Sequence, residues 1–567
     1  ELSAWQITIQ FLFIKSQEHL QTSSMEASPI LIAIDFGTAF SSYCISVNSG
    51  HDTSKKTERY ETETVILFNE NQEFEKFGVE ALTAYTKMTS SEASRYYFFQ
   101  NFKMELYNQV GEILPALKVF SESLRYLKDH ALKALSETVA ESLVLPQDVT
   151  WVLTVPAIWD NAAKDFMRQA AQKVTFLKTS SSIHPSIHLL NLLNLILEQP
   201  GQGTGKKSTQ VLCNSPFFSF SGGTVDITVH EVLDDGSLKE LQKASGGGWG
   251  GFSVDSKFTA FLRQIFGPVL WEIYKNEHPA ELQKMMHTFS IQKCTEKEDI
   301  YIECPHNLAK LAAKNKDISS YFSQLEGACW TDGNIKISYE KLASFFTESI
   351  KNILEKIKEI LDTPEISIDF ILLVGGYASS SLLREAVKRE FGSRYKILCP
   401  YESQLAVAKG AVIFGTDSKI IHSRVSALTY GINMSRKYDP LLHDPKKRRV
   451  NKAGDYTYCT GLFLNLVSKG QSVEHDEDAQ YTFFPVDDDQ TEAGFRFFST
   501  EKLNAIYIDE PGLKEIGSFV LPMPDIRLGT NREIHLKIKF GLTEIKANAI
   551  DTSSGEVQKI KLKFMSE

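Results

Sequence analysis

Three short apolar runs in this chain each end in a glycine turn, and that pattern constrains the fold more than any other feature. Residues 30–34, all apolar, lead into Asp35-Phe36-Gly37-Thr38, and a second strand over 43–47 follows almost at once. The pattern recurs over 218–233 as a strand, the turn Ser221-Gly222-Gly223-Thr224, and a strand over 225–232. The third run, 369–374, ends in Gly375-Gly376 and feeds a helix over 381–391. Apolar runs of this length bounded by glycine read as buried strands. The hairpins at 31–47 and 218–232 form a coarse internal echo, not a tandem solenoid repeat.

Between these landmarks the periodicity is helical over 117–144, where Leu117, Phe120, Leu124, Leu127, Leu132 and Leu135 recur at three- to five-residue steps. Residues 48–75 read as further strands and loops, and 150–155 as a buried strand closed by Pro156. Helices are expected over 161–171, 253–266 and 338–361, with a small-residue helix over 403–415. Beyond about residue 420 the pattern becomes alternating, with strands expected at 505–508, 534–540 and 559–564. A domain boundary is therefore expected near 417–424, before a β-rich module.

The turns have a chemistry in common. A phosphate chain needs backbone N–H donors that approach closely, and only small residues allow that approach. Gly37 lets the first turn close on an anion, the Thr38 hydroxyl can donate to it, and Asp35 can hold Mg²⁺ through water. Gly222, Gly223 and Thr224 offer a second such turn, with Asp226 near the metal. Gly375 and Gly376 give a strand-to-helix turn against which a flat ring can lie. Singly, each is also what a plain hairpin or strand–helix connection requires.

As an ordered set flanking a Val-Pro-Ala strand end, the three turns resemble the actin, 70-kDa heat-shock and sugar-kinase superfamily over residues 30–416. Within it, Asn101-Phe102-Lys103-Met104, Thr154-Val155-Pro156-Ala157-Ile158-Trp159, the stretch 222–230, Leu373-Val374-Gly375-Gly376-Tyr377 and the stretches 409–415 and 540–547 resemble the heat-shock 70 kDa protein 12 family. The resemblance implies an α/β, actin-like two-lobed ATPase fold (30–416) followed by a β-rich C-terminal domain (424–567). It implies ATP or ADP with Mg²⁺, gripped by Asp35, Gly37, Thr38, Gly222, Gly223, Thr224 and Asp226, with the adenosine on Gly375 and Gly376. Lys103 matches a lysine facing the γ-phosphate, and Lys293 a base-contacting lysine.

Departures from the family pattern bear on catalysis. The second phosphate turn ordinarily opens with Asp and carries a third Gly, where this chain has Ser219 and Ser221. Gln404 replaces an acidic residue before the 405–415 helix, and the Glu and Arg usually near Lys293 are missing. Residues 174–217 fit nothing in the family and read either as a divergent helix and loop or as a wrongly joined exon. Hydrolysis is therefore expected to be weak or absent. The functions implied are a chaperone-like ATP-binding protein, a non-catalytic nucleotide-sensing scaffold, or, least in keeping with the residues, a small-molecule kinase.

Composition limits the alternatives. A net charge of −10 over 567 residues argues against a dedicated nucleic-acid binder. Seven scattered cysteines without a CxxC pair argue against a disulfide framework or structural zinc, and point to a reducing compartment with mostly buried thiols. No run reaches the roughly 18 apolar residues of a membrane span. A cytoplasmic location is expected, with an unidentified protein client or partner. Met25 reads as a natural start and 1–24 as upstream sequence. The 200–208 segment imitates a P-loop but has Pro200 and Lys207 where Gly and Ser or Thr are required. Lys446-Lys447-Arg448-Arg449 is expected as a solvated loop, with a nuclear import signal the other reading. His184 and His188 lack further metal ligands nearby, and Asn433-Met434-Ser435 is a sequon without consequence in the cytosol.

Overall fold

In a computed structural model the described residues are 30–47, 56–104, 115–138, 149–159, 161–174, 182–185, 213–220, 222–294, 297–364, 366–400, 402–474, 478–540 and 545–562. Residues 1–24, Met25, most of 174–217 with its P-loop-like stretch, His188, Ser221 and 541–544 lie outside them.

Two mixed sheets repeat one strand order. In the first, Ile30–Phe36 pairs antiparallel with Phe40–Val47, which pairs antiparallel with Lys56–Glu63. On its other side Ile30–Phe36 pairs parallel with Val149–Val155, and that strand with Ser182–Pro185. In the second, Cys213–Phe220, Val225–Val232 and Leu238–Gly247 form the antiparallel run. Phe370–Val374 and Lys396–Leu398 add the parallel pair. The internal echo read from the hairpins thus extends to five strands on each side.

The faces explain the residues. Ile30, Ile32, Ile34 and Phe36 pack with the helices Ala116–Thr138 and Asn161–Lys173. Leu31, Ala33 and Val152 from the opposite face meet Leu372 and Val374 of the second sheet, with the helix Ala406–Thr416 contributing Ala406, Ala411 and Phe414. That helix is built of small residues because it lies close on the strands: a Cβ on Gly415 would stand 2.3 Å from Leu31 Cδ1. The second sheet's other face packs on Gly251–Phe266 and Tyr339–Leu361.

Beyond Ala406–Thr416, Ile421–Val425 adds parallel to Leu238–Gly247, and Ser472–Glu474 adds to it in turn, so the later chain continues the second sheet. Two antiparallel sheets follow, one containing Thr429–Lys437, Thr457–Val467, Glu492–Thr500 and Lys514–Pro522. The other contains Asp478–Phe483, Ile534–Phe540, Ile545–Asp551 and Val557–Leu562. They share a core of Ile432, Phe497, Leu536, Ile538 and Ala549.

Three expectations need correction. Residues 505–508 are not a strand; only an isolated bridge joins Leu462 and Tyr507. Glu510 Oε1 accepts from the N–H groups of Ile506 (2.7 Å) and Tyr507 (2.9 Å), taking the donors a neighbouring strand would use. The basic run is not wholly loop: a 3₁₀ turn Pro445–Lys447 leads to the edge strand Arg448–Val450. Cys44, Cys304 and Cys459 are buried, whereas Cys294 and Cys329 are exposed, so thiol burial is only partial. Among the described residues no helix is long and apolar enough to cross a membrane.

Candidate functional site

The first turn is held from beneath. Thr154 on the neighbouring parallel strand donates through Oγ1 to Asp35 Oδ1 at 2.5 Å. The turn is tight enough that a Cβ on Gly37 would stand 2.1 Å from the Phe40 carbonyl oxygen. Thr38 is buried. Lys103, from the short 3₁₀ turn Phe102–Met104, donates through Nζ to the Phe36 carbonyl and lies 5.0 Å from the Trp159 ring centroid.

The second turn meets the first directly. A Cβ on Gly223 would come within 2.6 Å of Thr38 Oγ1 and 2.3 Å of Met104 Sδ, and one on Gly222 within 2.5 Å of Ala39 Cβ. Both positions therefore require glycine for close approach. Asp226 Oδ2 accepts from Thr224 Oγ1 at 3.0 Å, and its Oδ1 accepts from the Ile158 N–H at 3.0 Å. Ile158 follows the Val149–Val155 strand, so Asp226 ties the second sheet to the first. Ser219 is the register partner of Asp226 across the strand pair, and of Val374 on its other side.

Lys103 is the buried cation of this group. The Asp35 and Asp226 carboxylates favour its charged form, but burial outweighs them and brings its pKa down to about 8. The ammonium is thus largely charged at neutral pH, facing two carboxylates in a poorly solvated place.

A second group gathers around Gly251. The carbonyls of Gly222 and Gly223 accept from the N–H groups of Phe252 (2.6 Å) and Gly250 (3.2 Å), so the helix Gly251–Phe266 starts against the second turn. A Cβ on Gly251 would stand 3.7 Å from Lys293 Nζ and from Tyr377 Cδ2. Lys293 donates to the Gly251 carbonyl at 3.2 Å and forms an ion pair with Asp255. Burial raises the Asp255 carboxyl, and Lys293 opposes that without cancelling it. Gly375 takes φ +89°, a left-handed conformation that glycine alone adopts cheaply, and its N–H donates to the Ser403 carbonyl at 2.7 Å. A Cβ on Gly376 would meet nothing within 4 Å, so that face of the turn is open. Tyr377 OH lies 3.1 Å from Ser349 Oγ, which donates to the Trp249 carbonyl at 2.6 Å.

Asp35, Gly37, Thr38, Lys103, Gly222, Gly223, Thr224 and Asp226 thus form one group, and Lys293, Gly375 and Gly376 a second, joined through Gly222 and Gly251. Sequence reasoning passed over Asp255 and Gly251, and took Trp159 only as part of the stretch that carries the resemblance. The run Gly246-Gly247-Gly248-Trp249-Gly250-Gly251 was a signal of close backbone approach. Two residues before Gln404, Glu402 pairs with Arg59 at 2.8 Å and with Lys409.

No protein-family model matches the chain. Human heat shock 70 kDa protein 12A is 30% identical to it over 628 aligned residues, covering 96% of this chain and 93% of the relative. The mouse 12A protein is 29% identical over the same shares. Human heat shock 70 kDa protein 12B is 28% identical, covering 95% and 91%.

Proposed function

The chain belongs to the heat shock 70 kDa protein 12 family, and from that premise we propose that it is an ATP- or ADP-binding, chaperone-like protein that hydrolyses nucleotide slowly. The phosphates are held between the first and second turns and the adenosine lies on Gly375 and Gly376. The observation that carries this reading is the meeting of Thr38 with Gly223, which brings two anion-competent turns from two sheets to one point beside a buried lysine.

The residues present fit such a ligand. Gly222 and Gly223 leave no Cβ between the turns, Thr38 and Thr224 bring hydroxyls, and Lys103 brings a cation. Among the described residues no group of three or more His, Cys, Asp or Glu side chains could hold a metal alone. Asp35 and Asp226 suit Mg²⁺, which in phosphate sites takes one or two carboxylates and completes its shell with phosphate and water. When bound, the ion neutralises charge on the phosphates. Lys293 and Asp255 lie beside the shelf where the base would sit, and the open face of Gly376 leaves room for it.

Because the two turns touch, a phosphate chain enters only if they part, so binding works against the contact of Thr38 with Gly223. We take 30–416 as a two-lobed nucleotide-binding unit and 424–567 as the β-rich unit that its opening biases, in a cytoplasmic protein. Ser219 in place of a carboxylate beside Asp226 favours slow turnover over fast. Thermal unfolding with and without Mg²⁺-ATP or Mg²⁺-ADP tests the reading. Nucleotide at about 100 times its Kd should stabilise the fold by about 2.7 kcal/mol. An unmoved unfolding midpoint at millimolar-scale nucleotide would sink it.

A further inference from the structure

We propose that the 438–444 loop and the basic run behind it form a docking surface for an anionic lipid bilayer. Leu441 is 93% exposed, more than any other large apolar side chain among the described residues, and its neighbour Leu442 is 73% exposed. An exposed leucine alone needs no explanation. These two sit on a loop whose backbone is fixed in several places, so they are held outward by construction.

The fixing is explicit. Asp439 accepts through Oδ1 from the Leu441 N–H at 2.9 Å, and through its carbonyl from the N–H groups of Leu442 (3.2 Å) and His443 (2.9 Å). The buried His443 ring returns the bond, its Nδ1 accepting from the Asp439 N–H at 3.0 Å. The Asp444 N–H donates to Tyr507 OH at 2.8 Å, tying the loop to the neighbouring one, where Ile506 is also exposed.

Immediately behind the leucines stand Lys446, Arg448 and Arg449, all exposed. Of the nearby acids, Asp509 pairs with Lys447 and Glu510 with Lys502. Asp439 and Asp444 accept from backbone N–H groups and keep their charge, but the four cations Lys446, Lys447, Arg448 and Arg449 outnumber them over 438–449. Among the described residues no ion pair joins Lys446, Arg448 or Arg449 to a carboxylate. Arg449 donates instead to the carbonyls of Lys446 (3.0 Å) and Arg448 (2.8 Å), which leaves its charge uncompensated. Leu441 and Lys446 are five positions apart, a reach of at most about 18 Å.

Two apolar tips followed in sequence by exposed cations outside any ion pair among the described residues, with Arg448 over the Tyr438 ring at 5.9 Å, match a bilayer interface, where acyl chains accept the tips and acidic headgroups the cations. A protein partner fits less well, because a side chain 93% exposed projects from the surface and requires a matching pocket. A bilayer needs no shape match. The net charge of −10 repels an acidic surface, so attraction is confined to this patch and must weaken with salt.

Co-sedimentation of the full chain with phosphatidylcholine vesicles, with and without phosphatidylserine, tests this. The chain should bind only the phosphatidylserine-containing vesicles, and less as salt rises. L441S/L442S should bind about ten-fold more weakly, as should K446Q/R448Q/R449Q. Both variants alter only exposed side chains, and an unchanged unfolding midpoint verifies their fold. The Leu441→Trp variant should gain, over the unmodified chain, an emission component that shifts to the blue on these vesicles. Equal binding by the leucine variant, or no such shift from Leu441→Trp, overturns insertion. No binding by the unmodified chain overturns the proposal.

Discussion

Ser219 stands directly across the antiparallel strand pair from Asp226. Directly opposed positions share a sheet face, so we propose 219 as the register position from which a carboxylate would serve the metal together with Asp226. Ser219→Asp combined with Ser221→Gly should raise single-turnover ATP hydrolysis roughly ten-fold or more, since one well-placed catalytic contact contributes about 10²–10³. If the unmodified chain already matches the double variant, position 219 is not at the metal.

Lys103 should give stability a pH signature. Its folded pKa is about 8 against an ordinary 10.5. Between those values the unfolded chain holds a proton that the folded chain has released, so stability rises with pH through that window. Below it both states are charged, and the full cost of burying the cation is present. Denaturant unfolding should therefore show the unmodified chain gaining about 3 kcal/mol on Lys103→Met between pH 8 and 10.5. A pH-independent difference between the two would contradict the buried, charged assignment.

His230 acts on the acid side. Burial, with the Arg424 charge adding to it, holds the ring's pKa at about 3, and its Nδ1 has no partner among the described residues. The unfolded histidine takes up a proton near pH 6.5 and the folded one does not. Stability should fall as the pH drops from 6.5 toward 3, by about 1.4 kcal/mol per unit. His230→Leu should remove that component, and an acid-unfolding profile unchanged by the substitution would count against it.

The glycines separate into two kinds. Gly223→Ala forces a methyl against Met104 Sδ and Thr38 Oγ1, and should cost about 1–3 kcal/mol as the turns are pushed apart. Gly376→Ala places its methyl in open space and should change stability by less than about 0.5 kcal/mol. Comparable losses for both would mean that the contact between the turns is not selective.

Much of this was legible where a local pattern sets local structure. The runs ending at Phe36 and Val374, the strand Val225–Val232, the helix Ser381–Phe391 and the strand Ile534–Phe540 follow directly from apolar period and glycine. Pairing partners were not legible. Nothing in the periodicity of Phe370–Val374 says that it lies beside Cys213–Phe220, far earlier in the chain. The Lys293–Asp255 pair was missed because it joins two different helices, Gly251–Phe266 and the end of Pro279–Gln292, whose packing no sequence spacing announces. The helices Pro268–Glu277 and Pro279–Gln292 were passed over although each opens with proline, a start signal. Residues 505–508 carried a strand-like alternation, but Glu510 had already satisfied the backbone donors.

The most direct test of the nucleotide site is calorimetric titration of Mg²⁺-ATP into the unmodified chain, Gly376→Ala and Gly376→Arg. The open face of Gly376 should tolerate a methyl, whereas a long charged side chain should fill the adenosine shelf. One saturable site in the first two proteins and none in the third is the predicted result. No binding to the unmodified chain, or undiminished binding to Gly376→Arg, would contradict the placement of nucleotide across these three turns.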